Sequence, residues 1–306
     1  MRGTATAAVI VTFNRSAKLV RVIEALQAQT VRPDFILVID NASTDDTAEV
    51  MGRMTDPTLR HIRLPENIGG AGGFHEGMRL AYEQGADYLW ISDDDAYPEP
   101  DALKKLLDAI TGFEARYQWR PSFACSNVKW IDGSHCEMNT PGTVWDWPRF
   151  YTPETPWTLV RSCSFVSALV PRWAVTAHGL PIRDYFIWYD DAEYTQRIAR
   201  SYPGIFVPDS LVVHDTPDNA GVNYGLITDK NVWKFRYGAR NETSFRKREQ
   251  GWPGVAQFVW QIYRQMRGGQ VAKPLQRQIW KAVWTGLRFR PPIQMAELQK
   301  EVVRPE

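Results

Sequence analysis

At residues 88–95 the sequence reads Tyr88-Leu89-Trp90-Ile91-Ser92-Asp93-Asp94-Asp95, an apolar segment that runs directly into three carboxylates. The apolar part predicts a buried strand, and Tyr97-Pro98-Glu99-Pro100 predicts a turn after it. Neighbouring carboxylates repel each other unless a positive charge lies among them. Asp93 and Asp95 are one residue apart and can point the same way. Their oxygens suit Mg²⁺ or Mn²⁺, ions that can also hold a diphosphate, and a solvated acidic turn is the alternative.

Strands and helices alternate over the first hundred residues. Four strands are predicted, at 7–13, 35–39, 59–64 and 87–92; the first two are apolar enough to be buried, and the third is short. The helices between them are predicted to begin at a capping Ser16, at Thr44-Asp45-Asp46-Thr47, and after the glycine-rich turn Asn67-Ile68-Gly69-Gly70-Ala71-Gly72-Gly73. This alternation predicts an α/β fold whose mostly parallel sheet is flanked by helices and binds ligands at the carboxyl ends of its strands. Polar candidates at those ends are Thr12, Asn14, Asp40, Asn41, Asp93 and Asp95.

The pattern is less regular after residue 120. Further strands are predicted at 123–131, 159–170 and 211–214, and a helix at 190–200. Three helices are predicted in the tail, at 231–249, 254–267 and 275–287. Acidic side chains fall in the first turn of the 190–200 helix, where the helix dipole favours anions.

Bulk composition is that of a globular protein. The 306 residues are 44% hydrophobic and 23% charged, and the net charge of +1 gives no global field that would favour nucleic acid. Three cysteines without a CxxC pair argue against a disulfide scaffold or a zinc site and favour a reducing cytosol. The apolar start at 7–11 continues into polar residues, as a strand does and a signal peptide does not. No apolar run reaches the length of a membrane span.

Several motifs carry a resemblance to a known family. Four occur in order: Val11-Thr12-Phe13-Asn14-Arg15, Val38-Ile39-Asp40-Asn41-Ala42-Ser43-Thr44-Asp45, Glu66-Asn67-Ile68-Gly69-Gly70 and Asp93-Asp94-Asp95. Together they resemble the nucleotide-sugar half of the inverting family-2 glycosyltransferases of GT-A fold, over residues 7–110 and more weakly to about 245. Three more motifs resemble bacterial galactofuranosyl- and rhamnosyltransferases of cell-wall and surface-polysaccharide assembly, the galactofuranosyltransferases more closely. They are Asn67-Ile68-Gly69-Gly70-Ala71-Gly72-Gly73-Phe74, Trp188-Tyr189-Asp190-Asp191-Ala192-Glu193-Tyr194 and Tyr237-Gly238-Ala239-Arg240-Asn241.

The resemblance implies a UDP-sugar donor site. The implied nucleotide-sugar-binding residues are Thr12, Asn14, Arg15, Asp40, Asn41, Asn67, Gly69, Gly70, Asp93 and Asp94. Thr12 and Asn14 can donate or accept at a nucleotide, and Asp40 can accept from the uracil N3–H or a ribose hydroxyl. The glycines let the backbone approach a ligand and expose N–H groups where a helix begins. The alternatives are an ordinary turn or cap at Asp40-Asn41 and a flexible glycine turn.

The same resemblance implies a metal site and a catalytic base. Asp93, Asp95 and His214 would hold Mn²⁺ or Mg²⁺, which neutralises charge developing on UDP, although a lone histidine at a strand end is also commonly structural. Asp191 would take the acceptor hydroxyl's proton as the oxygen attacks C1, and Asp190 would hold an acceptor hydroxyl.

Aromatic and acidic residues share the proposed acceptor side. The predicted acceptor-binding residues are Trp188, Tyr189 and Asp190. The two aromatic rings would stack on acceptor sugars, and a place in the core is the alternative for both. For the acidic pair the alternative is an ordinary acidic helix start.

The predicted domains are a GT-A catalytic domain at 1–228 and a basic, Trp-rich helical region at 229–306. The first divides into a nucleotide-sugar half at 1–110 and an acceptor half at 111–228. Residues 229–290 carry fourteen Lys/Arg against three Asp/Glu, and their tryptophans favour peripheral attachment to an anionic membrane surface. There are two alternatives. The region is a helical appendage that packs on the core and leaves its basic face solvated, or it forms a subunit contact. The expected location is cytoplasmic, at the inner face of the plasma membrane.

The sequence therefore predicts a metal-dependent inverting hexosyltransferase. Its expected donor is UDP-galactofuranose, and its expected acceptor is a glycan or a polyprenyl-diphosphate-linked glycan in surface polysaccharide synthesis. Two alternatives stay open, a rhamnosyltransferase that uses dTDP-rhamnose and a non-catalytic module that binds sugar nucleotides. The acceptor, its linkage position and the oligomeric state are left open.

Overall fold

A ten-stranded β-sheet runs through residues 4–297, the part of the chain that the computed structural model describes. Residues 1–3 and 298–306, which the predicted domain bounds include, lie outside the described residues. The strands are β1 (Thr6–Thr12), β2 (Phe35–Asp40), β3 (Leu59–Arg63), β4 (Tyr88–Asp93), β5 (Ala96–Pro98), β6 (Ala124–Trp130), β7 (Gly142–Thr143), β8 (Thr158–Ser162), β9 (Ala168–Pro171) and β10 (Gly204–His214). Their order in the sheet is β3-β2-β1-β4-β9-β6-β10-β8-β7, and β5 pairs with β10.

Strand directions bring the carboxyl ends of the principal strands to one edge. β1 pairs in parallel with β2 and β4, and β2 pairs in parallel with β3. β9 is antiparallel to both β4 and β6, and β10 is parallel to β6. It follows that β6 and β10 run in the same direction as β1–β4. Polar residues at the ends of β1, β2, β4 and β10 therefore share one edge of the sheet.

Helices cover both faces of the sheet and form the C-terminal region. They are α1 (Ser16–Gln27), α2 (Thr47–Arg53), α3 (Gly69–Glu83), α4 (Ala102–Tyr117), α5 (Arg172–His178), α6 (Asp190–Ile198), α7 (Val232–Glu249), α8 (Gly251–Gly268) and α9 (Lys273–Gly286). Short 3-10 turns lie at Glu137–Asn139, Trp147–Phe150, Arg183–Tyr185 and Tyr224–Leu226. The predicted α/β class, a central sheet flanked by helices with a helical C-terminal region, is confirmed.

Alternating side chains of the buried strands divide the core into two layers. Val9 and Val11 of β1 pack with α3, α5 and α6, whereas Ala8 and Ile10 pack with α1, α2 and α4. This two-residue period is the pleat of a strand buried on both faces. A third apolar cluster joins α7, α8 and α9, centred on side chains such as Phe258.

Three local predictions need correction. The strand predicted at 159–170 is two strands, β8 and β9, which lie at different places in the sheet; the intervening residues contain no proline or glycine that would mark the break. Ser16 is the first residue of α1 and not its cap, because Arg15 holds the N-cap position and no side chain caps this helix. The glycines 69–73 lie inside the first turns of α3 and not in a turn before it.

The three helices predicted in the tail are confirmed with small shifts of their ends. α8 and α9 each pack on α7. Among residues 4–297, no helix combines the length and the apolar character that crossing a bilayer requires. The boundary predicted at residue 229 remains a prediction.

Candidate active site

Two carboxylates and an imidazole converge at the shared edge of the sheet. Asp93 ends β4, Asp95 lies in the turn that follows, and His214 ends β10. Pairing of β5 with β10 sets Ala96 opposite His214, and the backbone N–H of Asp215 donates to the Asp95 carbonyl at 2.9 Å. As a result, one ligand-capable atom from each of the three side chains lies within 4.8 Å of the others.

Hydrogen bonds fix the orientation of His214. Its Nδ1 lies 2.8 Å from Asn139 Oδ1, and its Nε2 lies 3.2 Å from Asp95 Oδ1. The Asn139 amide is itself oriented, because its Nδ2 donates to Ser164 Oγ at 2.7 Å. Since Asn139 Oδ1 is an acceptor, an N–H of the ring belongs on Nδ1, and Nε2 is the ring nitrogen that faces the carboxylates.

The cluster carries an excess of buried negative charge. Burial, together with the charge of Asp95, raises the pKa of Asp93 to about 7. Burial also acts to raise the pKa of Asp95, but the hydrogen bond and charge of His214, with Arg15 and Lys18, outweigh it and lower that pKa. Arg15 donates to Asp95 Oδ2 at 2.7 Å from a half-exposed position. A cation is thus favoured among these groups.

Asp94 turns away from the cluster toward β1. Its Oδ2 accepts from Thr12 Oγ1 at 2.7 Å, and its Oδ1 accepts from Arg15 at 3.1 Å. Burial raises the pKa of Asp94, and Arg15 and Thr12 oppose that rise. Three of the residues predicted to bind the nucleotide sugar, Thr12, Arg15 and Asp94, therefore form one hydrogen-bonded group beside the cluster.

The other predicted donor-binding residues organise the loops after β1 and β2. Asn14 has a left-handed backbone, φ 55°, and its Oδ1 accepts from the backbone N–H of Thr44 at 2.7 Å. Asp40 is fully buried; its Oδ1 accepts from the backbone N–H of Ser43 at 2.7 Å, and its Oδ2 lies 3.3 Å from His61 Nε2. These contacts join the two loops, and the nucleotide contacts of Asn14 and Asp40 remain predictions.

The glycine run lets α3 begin against another loop of the protein. Asn41 Nδ2 donates to the Gly69 carbonyl at 3.1 Å, and Asn67 Oδ1 accepts from the Gly69 N–H at 2.8 Å. Gly69 has φ +76°, and a Cβ there would lie 2.1 Å from the Phe186 carbonyl oxygen, so the position requires glycine. A Cβ at Gly70 would meet nothing within 4 Å, which leaves that backbone accessible.

A strained segment leads into the second acidic pair. Phe186, Trp188 and Tyr189 all have positive φ, between 66° and 72°, and α6 begins at Asp190. Left-handed conformations at non-glycine residues each cost about 1–3 kcal/mol and persist only where the surroundings enforce them. Such strain immediately before the buried Asp190 and the partly buried Asp191 marks the segment as a functional candidate.

Burial changes the proton affinity of both acids. It raises the pKa of Asp190 to about 8, with the charge of Asp191 adding to the effect, and it raises the pKa of Asp191 to about 6. Asp191 is lower because its Oδ1 accepts from the backbone N–H of Ala192 at 2.6 Å, in the first turn of the helix. The pair therefore holds a proton more readily than two solvated aspartates would, and the Ala192 N–H favours the ionised form of Asp191 over that of Asp190.

Helix α7 holds this strained segment in place. Asn241 is fully buried, and its Nδ2 lies 2.9 Å from the Tyr185 carbonyl, 3.1 Å from that of Ile187 and 2.9 Å from that of Trp188. Arg240 donates to Asn241 Oδ1 at 2.9 and 3.0 Å, which sets the amide so that its nitrogen faces the carbonyls. The same helix reaches α6 itself, where Arg248 donates to the buried Glu193 at 2.6 Å.

The two aromatic rings before the pair pack against α7. The Trp188 ring meets Phe235 edge-on at a centroid distance of 4.8 Å, and the Tyr189 ring lies 5.2 Å from that of Phe245. Both side chains are partly buried, and the predicted stacking on acceptor sugars stays a prediction.

A short segment after β8 connects the acidic pair with the cluster of Asp93, Asp95 and His214. The backbone N–H of Cys163 donates to Thr195 Oγ1 of α6 at 3.3 Å, and the next residue, Ser164, accepts from Asn139. Asn139 in turn contacts His214. Cys163 thus contacts α6, the helix that carries Asp191, and its neighbour Ser164 contacts Asn139, the residue that orients His214.

Sequence reasoning missed the supporting residues. Asn139 lies in an irregular loop 75 positions before its partner His214, and Ser164 follows a strand end with no motif around it. Asn241 belongs to the motif at residues 237–241, but the neighbouring sequence does not indicate which carbonyls its side chain contacts. These roles depend on contacts between segments far apart in the chain.

Solved structures share this architecture. A crystal structure of GalNAc-T7 with UDP, GalNAc and Mn²⁺ superposes with a TM-score of 0.57 at 15% identity, over 80% of this chain and 48% of that one. A structure of residues 1–349 of TarS from S. aureus with UDP gives a TM-score of 0.52 at 15% identity, over 78% and 65%. At this identity the likeness concerns the fold, which is the GT-A fold of glycosyltransferases.

Sequence comparison gives the family. The sequence model of Glycosyl transferase family 2 matches residues 7–167, more than half of the chain. The chain belongs to glycosyl transferase family 2. Galactofuranosyltransferase GlfT1 of Mycolicibacterium smegmatis is 36% identical over 212 residues, 63% of this chain and 65% of that protein. GlfT1 of Mycobacterium tuberculosis is 40% identical over 95 residues, 30% and 31% of the two chains. The matches thus span between about a third and two thirds of these relatives.

Proposed function

We propose that this chain is a metal-dependent inverting glycosyltransferase that transfers galactofuranose from UDP-galactofuranose to a glycan or lipid-linked glycan acceptor. The observation that carries the proposal is the pairing of two acidic centres. Asp93, Asp95 and His214 form one, and Asp190 with Asp191 forms the other, linked through residues 163–164. The similarity to galactofuranosyltransferases favours the furanose donor.

The donor set of the first centre fits Mn²⁺ or Mg²⁺. Carboxylate oxygens are hard ligands and an imidazole nitrogen is an intermediate one. This combination suits Mn²⁺ or Mg²⁺, which keep several further oxygen ligands. Nε2 of His214 lies 3.2 Å from Asp95 Oδ1, so an ion held by the two carboxylates would also lie within reach of this ring nitrogen. When bound, the ion would offset the negative charge that develops on the leaving nucleoside diphosphate.

Residues of the chain would prepare the donor site for this charge. Arg15 and Lys18 provide side-chain cations beside Asp95, with Arg15 half-exposed and Lys18 about one third exposed. Both side chains are long enough to turn toward a diphosphate while keeping their stems in place. We infer that they change partner when the donor binds, from Asp95 to phosphate oxygens.

Asp191 would serve as the base for the acceptor. The acceptor oxygen forms a bond to C1 of the donor sugar, the bond from C1 to the diphosphate oxygen breaks with its electron pair, and the acceptor proton passes to Asp191. A base with a pKa of about 6 is ionised at neutral pH yet retains useful proton affinity. Protonated Asp190 can donate to a neighbouring acceptor hydroxyl, because burial keeps its proton in place.

The proposal is tested by a donor screen with a metal ion, read out as release of UDP and as mass transfer to a galactoside acceptor. Transfer from UDP-galactofuranose that EDTA abolishes and Mn²⁺ or Mg²⁺ restores is the expected result. Asp95→Ala should abolish it, whereas Asp108→Ala, which removes an exposed carboxylate on α4, should not. Transfer from dTDP-rhamnose alone would overturn the donor assignment, and UDP binding without any turnover would identify a non-catalytic module.

A further inference from the structure

The outer faces of α8 and α9 expose aromatic side chains to an unusual degree. Five tryptophans of the described chain are exposed, and four of them, Trp233, Trp252, Trp260 and Trp284, lie in α7–α9. Trp260 and Trp284 are each 59% exposed and Trp252 is 62% exposed. Large exposed aromatic side chains concentrated in one region mark an interaction surface.

On α8 the aromatic side chains share one face. Trp252, Trp260, Tyr263 and Arg267 follow each other at spacings of eight, three and four residues, which the helical repeat brings to the same side. The opposite side, represented by Phe258 and Ile262, is buried in the cluster with α7. The Trp260 and Tyr263 rings are stacked with their centroids 5.8 Å apart.

On α9 and just beyond it, cations and tryptophan share one face. Lys273, Arg277, Lys281, Trp284 and Arg288 recur at intervals of four, four, three and four residues, and all five are exposed. Ile279 and Val283 are buried on the other side. The Arg288 guanidinium lies 4.7 Å from the centre of the Trp284 ring.

The charge of this region has a single sign. Residues 250–290 contain seven Lys/Arg and no Asp or Glu. A surface of tryptophans and cations without acidic residues complements an anionic interface at which aromatic rings can lie between water and hydrocarbon.

We propose that the α8–α9 face, defined by the exposed residues named on these two helices, lies on the surface of an anionic phospholipid bilayer. Trp252, Trp260 and Trp284 would enter the headgroup region, and Arg277 and Lys281 would pair with lipid phosphates. The attachment is peripheral, since the opposite side of each helix is already buried on α7. This inference goes beyond the proposed reaction and does not depend on it.

The test is flotation of the full chain with phosphatidylcholine vesicles that contain or lack phosphatidylglycerol, without donor or metal. We expect the chain to float only with the anionic vesicles. The double variant Arg277→Glu/Lys281→Glu should lower the bound fraction by about tenfold or more, since each cation near such a surface contributes about 1 kcal/mol. Trp260→Ala/Trp284→Ala should also release the chain, whereas Trp145→Ala, at a tryptophan 96% exposed outside these helices, should not.

Several results would overturn the inference. These are no flotation with anionic vesicles, equal flotation with neutral ones, or equal loss in Trp145→Ala. A further contradiction would be a dimer in light scattering that Trp260→Ala/Trp284→Ala converts to monomer, because the face would then bind a second copy. Turnover of a soluble acceptor in the same variants keeps misfolding separate from loss of vesicle binding.

Discussion

Replacing Asn241 with alanine tests whether α7 positions Asp191, the proposed catalytic base. The substitution removes the amide that faces three carbonyls of the 184–189 segment and the acceptor that Arg240 uses. The amide nitrogen carries two N–H groups, so one of them is shared between two of the three carbonyls, and two hydrogen bonds at a net ~1 kcal/mol each give about 2 kcal/mol of restraint. Three left-handed residues at ~1 kcal/mol or more each store a comparable strain. With the restraint gone, we expect the segment to relax and Asp190 and Asp191 to move.

The assay separates positioning from stability. A displacement of about 1 Å at a reacting group costs on the order of 100-fold in rate, so kcat should fall by about that factor. The donor KM and the binding of UDP with Mn²⁺ should change little, because Asn241 does not contact Asp93, Asp95 or His214. The free energy of unfolding should fall by about 2–4 kcal/mol as buried carbonyls lose their donor.

A matched control lies on the same helix. Thr243 is fully buried and its Oγ1 donates to the Ala239 carbonyl at 2.6 Å, so Thr243→Val also removes a buried hydrogen bond but does not touch the 184–189 segment. It should lower stability without the 100-fold loss of kcat. Wild-type turnover in folded Asn241→Ala, or an equal kcat loss in Thr243→Val, would refute the positioning role.

Three further predictions concern the two acidic centres. Asp191→Asn should lower transfer by about 100-fold or more, the scale of general-base catalysis, while calorimetry shows unchanged UDP binding; near-normal turnover would remove Asp191 as the base. Because Asp191 acts in its ionised form and its pKa is raised to about 6, kcat/KM should rise with pH up to about 6 and then level off. If kcat/KM of Asp191→Asn still rose with pH up to about 6, as in the wild type, this assignment would be contradicted. Asn139→Ala should weaken Mn²⁺ binding by about 10- to 100-fold through a freed His214 ring, measured by calorimetry against the exposed control Asn223→Ala, whose side chain accepts only from the backbone N–H of Gly225.

The residues of the proposed donor site could be predicted from the sequence because they lie close in the chain to the strands that position them. Asp40 and Asp93 directly follow runs of apolar residues, so the strand and the polar residue that ends it are found together. His214 lies more than a hundred residues later, yet it too ends an apolar strand. A parallel sheet brings such ends to one edge, which is why the sequence could associate His214 with Asp95.

What the sequence could not provide depends on packing between distant segments. The break between β8 and β9 has no proline or glycine to mark it, because residues 163–167 stay largely buried while the chain crosses between strands. Helix α4 is an exception: its apolar residues Leu103, Leu106 and Ile110 recur at the helical period and lie on its buried side, yet it is not among the helices predicted above. The restraint by Asn241 involves backbone carbonyls, whose positions no side-chain pattern encodes.

The residues that match the family model include only part of the candidate site. Residues 7–167 include Asp93, Asp95 and the support residue Asn139, but Asp191 and His214 lie beyond them. The matched part therefore holds most of the donor side, and the acceptor side depends on α6 and its restraint by α7. Since α8 and α9 also pack on α7, one helix supports both the proposed base and the proposed bilayer contact. Turnover of a lipid-linked acceptor, but not of a soluble one, should therefore fall in Arg277→Glu/Lys281→Glu, because this variant weakens the proposed bilayer contact.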